Sequence, residues 1–239
     1  MIVRRRFIKS LVAGGILLPS IPQFLLGVEK GMDHSFSSIS DGSDMKEIRI
    51  ALIGKGGMGT ADTNTALSVG GVKLVAVCDL YDARLKLAKE QWGDHLFVTK
   101  DFQDILRRKD VDVVLIGTPD HWHQPIAIAA MKAGKHVYCE KPVIHKIEEG
   151  RELVDAQRAS GSYFQTGSQG MASLGNRKAR QLVQAGIIGK VNFVDGQFTG
   201  GPGTLGYYPI PEDASEKTIW WKQFIGNAPK HDFDAQRFF

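Results

Sequence analysis

The chain has 239 residues, 43% of them hydrophobic, and a formal net charge of +4. That length exceeds one average domain and falls short of two full ones, and the apolar content is ample for a globular core. Residues 1–30 carry Arg4, Arg5, Arg6, Lys9 and Lys30 against Glu29 alone, so the remaining chain holds 25 basic and 25 acidic residues, which excludes a nucleic-acid footprint.

The basic start runs into an apolar stretch, LVAGGILLPS and PQFLLG, with the character of an export signal over residues 1–30. Arg4, Arg5, Arg6, Phe7, Ile8 and Lys9 resemble the twin-arginine pattern of two arginines, any residue, Phe, a large aliphatic and Lys. The expectation is export by the twin-arginine machinery, to the periplasm, of a protein already folded around its cofactor. Pro19 and Pro22 interrupt the apolar run and argue against a membrane span. Residues 31–46, rich in Ser, Gly and Asp, read as a linker.

From residue 47 the pattern is that of a nucleotide-binding unit. Ile48, Ile50 and Leu52 alternate as a strand and lead into GKGGMG, which places Gly54, Gly56 and Gly59 in G-x-G-x-x-G spacing with Gly57 and Met58 inside the turn. Gly54 allows a tight turn, Gly56 lets the backbone approach a pyrophosphate, and Gly59 permits close packing of helix on sheet. The helix start beyond them offers unpaired N–H groups to phosphate. A second strand, VKLVAVCD, ends at Asp79, twenty residues after the last glycine. A carboxylate there accepts hydrogen bonds from a ribose 2′-OH and repels a 2′-phosphate, which favours NAD; nearby Arg84 keeps NADP open. Capping the helix that follows is the competing role for Asp79.

DARLKLAKEQW then reads as a helix, Leu96–Val98 as a short strand, FQDILRRK as a helix and VDVVLIGTP as a fourth strand. HQPIAIAAMKAGK reads as a helix, HVYCEKP as a fifth strand, IEEGRELVDAQRASG as a helix and YFQTGSQ as a sixth strand. Alternating strands and helices predict an α/β fold, a Rossmann-type doubly wound parallel sheet with right-handed crossovers, over residues 47–167. In the strand order 3-2-1-4-5-6, Cys78 and Cys139 stand three strands apart, beyond disulfide reach, so both are expected as free buried thiols. Beyond Gly167, NRKARQLVQAGIIG predicts one more helix and KVNFVDGQF a strand, before a Gly- and Pro-rich loop with Tyr207 and Tyr208. The last segment, with Trp220, Trp221, Phe224 and Phe239, is too aromatic for a solvated tail. Residues 168–239 therefore read as the incomplete start of an α+β substrate domain.

Thr118, Pro119, Asp120 and His123 follow the fourth strand, and Glu140, Lys141 and Pro142 the fifth, at the edge where open α/β sheets bind ligands. GKGGMG, TPDHWH and CEKP in this order and spacing, with the later GSQ, IIGKV and W-x-x-F-x-G-x-A-P from Trp221 to Pro229, resemble the Gfo/Idh/MocA family of sugar and polyol oxidoreductases over residues 47–239. The resemblance implies that Gly54 to Gly59 and Asp79 hold NAD, that Thr118, Pro119 and His123 lie near its nicotinamide half, and that Glu140 and Lys141 contact nicotinamide ribose and substrate. It makes Lys141 the catalytic candidate, an amine whose charged form is disfavoured by burial beside a cationic nicotinamide and which exchanges a proton with a sugar hydroxyl. A structural bond from His123 to a backbone carbonyl is the competing role for that residue.

The H-x-H spacing of His121 and His123 does not predict a metal, because no third ligand is evident nearby. Members of the family usually carry a paired Asp and His on a helix downstream of W-x-x-F-x-G-x-A-P, and this sequence stops at Phe239. The expectation is thus a C-terminally truncated member, whose complete C-terminal sheet would support a homo-oligomer. Three activities stay open: net sugar or polyol dehydrogenation, redox-neutral glycoside cleavage with retained NAD, and dinucleotide binding without turnover.

Overall fold

The computed structural model describes residues 47–197 and 209–239. The export signal, the linker, and Tyr207 and Tyr208 fall outside the described residues. Six strands form one parallel sheet: β1 (Ile48–Ile53), β2 (Val72–Cys78), β3 (Phe97–Thr99), β4 (Val113–Ile116), β5 (His136–Glu140) and β6 (Phe164–Gly167). Their spatial order is β3-β2-β1-β4-β5-β6, so the chain reverses direction across the sheet between β1 and β4. Helices α1 (Gly57–Leu67), α2 (Asp82–Trp92), α3 (Phe102–Arg107), α4 (Asp120–Lys132) and α5 (Glu149–Ser160) make the crossovers.

The continuous apolar runs of the strands follow from burial on both faces. Ile50 and Leu52 of β1 pack with Leu74, Val77, Leu85 and Ala88 on the α2 side. Ala51 and Ile53, pointing the other way, pack with Val114, Ile116, Ile126 and Met131 on the α4 side. α1 has no apolar stripe. It is held by Gly59 and Thr63, both buried, with Thr63 Oγ1 donating to the Gly59 carbonyl at 2.8 Å. Cys78 and Cys139 are buried free thiols, as expected, and burial pushes the Cys139 thiol up to about 12.

Two elements depart from expectation. α4 begins at Asp120, three residues earlier than the periodicity suggested, because Pro119 is preset for the N-cap and Asp120 suits a first turn. The strand expected over residues 190–198 does not form in its described part: Phe193 is 84% exposed, and no described backbone hydrogen bond involves residues 191–197. Its alternation is real, but a strand needs a neighbour to complete its ladder, and none of the described residues supplies one. The preceding helix, α6 (Leu174–Gln184), is exposed throughout.

The aromatic segment at the other end of the described residues packs against the sheet unit, with Ile219 and Trp221 buried. Asp82 N donates to the Thr218 carbonyl at 3.0 Å, and Trp220 N donates to the Leu80 carbonyl at 2.9 Å. The short helices α7 (Trp221–Ile225) and α8 (Ala235–Phe238) follow.

Candidate cofactor and active site

Because all six strands are parallel, the turns after Ile53, Cys78, Ile116 and Glu140 share one edge of the sheet. The glycines there have distinct jobs. Gly54 has φ +94°, and a Cβ on it would stand 2.7 Å from the Gly117 backbone. A Cβ on Gly59 would meet the Gly54 carbonyl oxygen at 2.1 Å. Gly117 closes the same junction, since its Cβ would lie 2.9 Å from Gly59 Cα. At Gly56, in contrast, a Cβ would meet nothing within 4 Å. Packing thus explains Gly54 and Gly59, while Gly56 leaves bare backbone facing open space at the N-cap of α1, where no side chain caps the helix. Gly57 and Met58 form its exposed first turn, with backbone N–H groups of the kind that bind phosphate.

Asp79 is 5% exposed and ties two turns together. Its Oδ2 accepts from Lys55 N at 2.7 Å and its Oδ1 from Tyr81 N at 3.0 Å. The Arg84 guanidinium stands 3.8 Å away. Burial pushes the Asp79 carboxyl up, and Arg84 and the two backbone donors oppose that shift. The N-cap of α2 is Tyr81, so Asp79 does not occupy the capping position. The Lys55 amine is turned aside, 3.3 Å from Gln91 Oε1 and over the Trp92 ring.

A cleft of about 220 Å³ opens between these turns, lined by Gly54, Gly56, Asp79, Arg84, Thr118 and Pro119 among others. Thr118 and Pro119 therefore share a cavity with Asp79, and Lys141 does not line it. Thr118 Oγ1 is buried without a hydrogen-bond partner among the described residues. An orphaned hydroxyl in a cleft wall, a bare Gly56 and an uncapped helix start together fit a dinucleotide with its phosphates at α1.

His123 is 1% exposed, with Nδ1 2.6 Å from the Pro142 carbonyl and Nε2 2.7 Å from the Thr118 carbonyl. Both nitrogens face backbone, so the ring clasps the turns after β4 and β5 to each other. His121 Nε2 likewise sits 2.7 Å from the Phe224 carbonyl.

Glu140 is 4% exposed, and its Oε1 accepts from Gln169 Nε2 at 2.5 Å and from the Tyr138 hydroxyl at 3.2 Å. Gln169 Nε2 also reaches Asp62 Oδ1 on α1, at 3.3 Å. Burial, then the Glu140 charge, holds the Asp62 carboxyl above its ordinary range. Gly167 leaves room for this cluster: a Cβ there would fall 2.1 Å from Glu140 Oε1 and displace that carboxylate from its present position. Lys141 follows on the surface, joined to Pro142 by a cis peptide bond. Its exposure differs from the burial expected of a proton-transferring amine.

Sequence reasoning did not single out Asp62, Tyr138 or Gly117. Only Gly117 had a local signal: Ile116–Gly117 repeats the strand-end Ile53–Gly54 step.

Residues 48–168 match an oxidoreductase family with an NAD-binding Rossmann fold, GFO_IDH_MocA. The chain is 32% identical over 155 residues to a glycosyl hydrolase family 109 protein of Solibacter usitatus, an alignment covering 60% of this chain and 35% of that protein. It is 28% identical over 174 residues to an inositol 2-dehydrogenase of Salmonella paratyphi B, covering 72% and 52%. Among solved structures, it resembles a scyllo-inositol dehydrogenase of Lactobacillus casei with bound NAD(H) and scyllo-inositol, at TM-score 0.57 and 34% identity over 60% of this chain and 43% of that one. The chain spans about a third to a half of the length of these relatives.

Proposed function

The chain belongs to the Gfo/Idh/MocA oxidoreductase family with its NAD-binding Rossmann fold, and from that premise we propose that it serves NAD-dependent oxidoreduction of a sugar or polyol. The observation that carries this reading is the shared edge: bare Gly56 and the uncapped start of α1 stand on the same rim as the Glu140–Lys141 turn. NAD, when bound, supplies a hydride acceptor or donor. Gly54 to Gly59 seat its diphosphate, Asp79 orients the adenosine ribose, and the Thr118 hydroxyl takes a polar group of the ligand. Glu140, locked by Gln169 and Tyr138, orients the reactive end, and Lys141 Nζ holds or accepts the substrate hydroxyl proton.

The test is mass spectrometry of the purified protein for bound NAD, followed by NADH production with inositols and a sugar panel. Absence of NAD binding overturns the reading. Similarity to a glycosyl hydrolase family 109 protein favours a second reading, in which transient oxidation enables glycoside cleavage. Bond cleavage without net NADH selects it.

Export is part of the same proposal, supported by Arg4, Arg5, Phe7 and Lys9. A reporter fused to residues 1–46 tests it: export that survives Arg4→Lys with Arg5→Lys refutes the twin-arginine route.

A further inference from the structure

The segment from Thr218 to Phe238 is laced to both turns that flank the nucleotide cleft. On the β2–α2 turn, Ile219 makes an antiparallel bridge to Tyr81, and Thr218 accepts from Asp82 N and, at 3.0 Å, from Lys100 Nζ. At the start of α4, the Phe224 carbonyl meets His121 Nε2 at 2.7 Å and accepts from Trp122 Nε1 at 3.1 Å. Gly226 presses so close that a Cβ would lie 2.8 Å from the Trp122 ring. These ties put Gln223, Phe224 and Phe238 into the lining of the cleft that also holds Asp79, Thr118 and Pro119. The Phe224 and Phe238 centroids are 5.0 Å apart, and the Arg84 guanidinium lies 5.2 Å from the Phe238 centroid while facing Asp79.

In a doubly wound sheet the acid after β2 marks the adenosine ribose, so the cavity beside it takes the purine. The sheet unit lines the cleft with Leu80, Arg84, Pro119 and the aromatic Phe102 and Trp122, and the distant segment adds Phe224 and Phe238, the latter against Arg84 and so on the Asp79 side. We propose that α7 and α8 form a wall of the adenosine pocket, with Phe224 and Phe238 giving an apolar, stacking surface to the purine and Arg84 held between that surface and Asp79. The cleft stays open with the segment in place, which distinguishes a wall from a plug. This inference rests on the dinucleotide reading above and adds binding residues to it.

The experiment titrates the full chain with NAD, ADP-ribose and nicotinamide mononucleotide by calorimetry, for the wild type, Phe238→Ala and Phe238→Leu. Loss of one aromatic face is expected to weaken NAD and ADP-ribose about five- to tenfold. The mononucleotide, which lacks adenosine, keeps its affinity. Phe238→Leu retains apolar bulk without a π-face, so it covers the case in which the alanine variant fails to fold. Unchanged or tighter ADP-ribose binding in a folded variant overturns the proposal, tighter binding showing that the ring obstructs the site. A wild-type chain that binds neither NAD nor ADP-ribose refutes the dinucleotide reading itself, and this inference with it.

Discussion

Gly56→Ala and Gly59→Ala are chemically identical changes three residues apart, and the structure gives them opposite consequences. At Gly59 the new methyl falls 2.1 Å from the Gly54 carbonyl oxygen, a backbone atom in a turn already pressed against Gly117, so α1 and β1 must separate. Overpacking of this kind costs about 3 kcal/mol. For a unit of this size that lowers the melting temperature by roughly 6–12 °C. At Gly56 the methyl meets no protein atom within 4 Å, and the backbone there, with φ −78° and ψ −171°, suits any residue. The weaker N-cap costs about 0.5–1 kcal/mol, and the stiffer unfolded chain returns a similar amount. Stability is therefore expected within about 0.5 kcal/mol of wild type. NAD affinity should nevertheless fall at least about tenfold, because the methyl stands where the diphosphate approaches. Thermal unfolding by circular dichroism and NAD titration separate the two effects. If Gly56→Ala binds NAD like the wild type, or loses as much stability as Gly59→Ala, the assignment of open space at Gly56 to a diphosphate is wrong.

Asp79→Asn removes the charge that repels a 2′-phosphate and keeps an acceptor for only one of the two backbone donors, Lys55 N and Tyr81 N; in the folded variant the ratio of NADP to NAD affinity should rise about tenfold, and an unchanged ratio refutes the role of the acid. Asp62 has a carboxyl raised above 3.8 by burial and by Glu140, so between 3.8 and its raised value the folded chain keeps a proton that the unfolded chain has lost. Stability from this group is therefore lost as pH rises through that interval. Urea unfolding should show the stability of Asp62→Asn, relative to wild type, climbing across that interval and then levelling off; a flat difference from acid to neutral pH refutes a carboxyl raised by burial and by Glu140. In a catalytically competent protein, Lys141→Ala should lower turnover about a hundredfold or more with NAD affinity within about twofold, and equal losses in both would assign Lys141 to binding.

Much of the nucleotide-binding unit was legible without coordinates. The sixth strand and the helix DARLKLAKEQW need only local periodicity, and the roles of Gly54 and Gly59 follow from spacing, because a turn and a close helix–strand approach are set by a few neighbouring residues. KVNFVDGQF shows the limit of such reasoning. Its alternation says which face a strand would bury, while a ladder partner, which none of the described residues supplies, is a long-range matter that alternation cannot encode.

The site divides along the same line. Composition, the glycine spacing and the acid after the second strand determined by themselves that this chain carries a nucleotide-binding parallel sheet, since each reports on backbone within reach of its own sequence. Tertiary structure alone decided that Gln169 bridges Asp62 to Glu140, that His123 clasps two turns through their carbonyls, and that Phe224 and Phe238 reach the cleft beside Asp79. Those contacts join residues up to about 160 positions apart, and their energies come from burial and hydrogen bonding between elements that meet only once the sheet has closed.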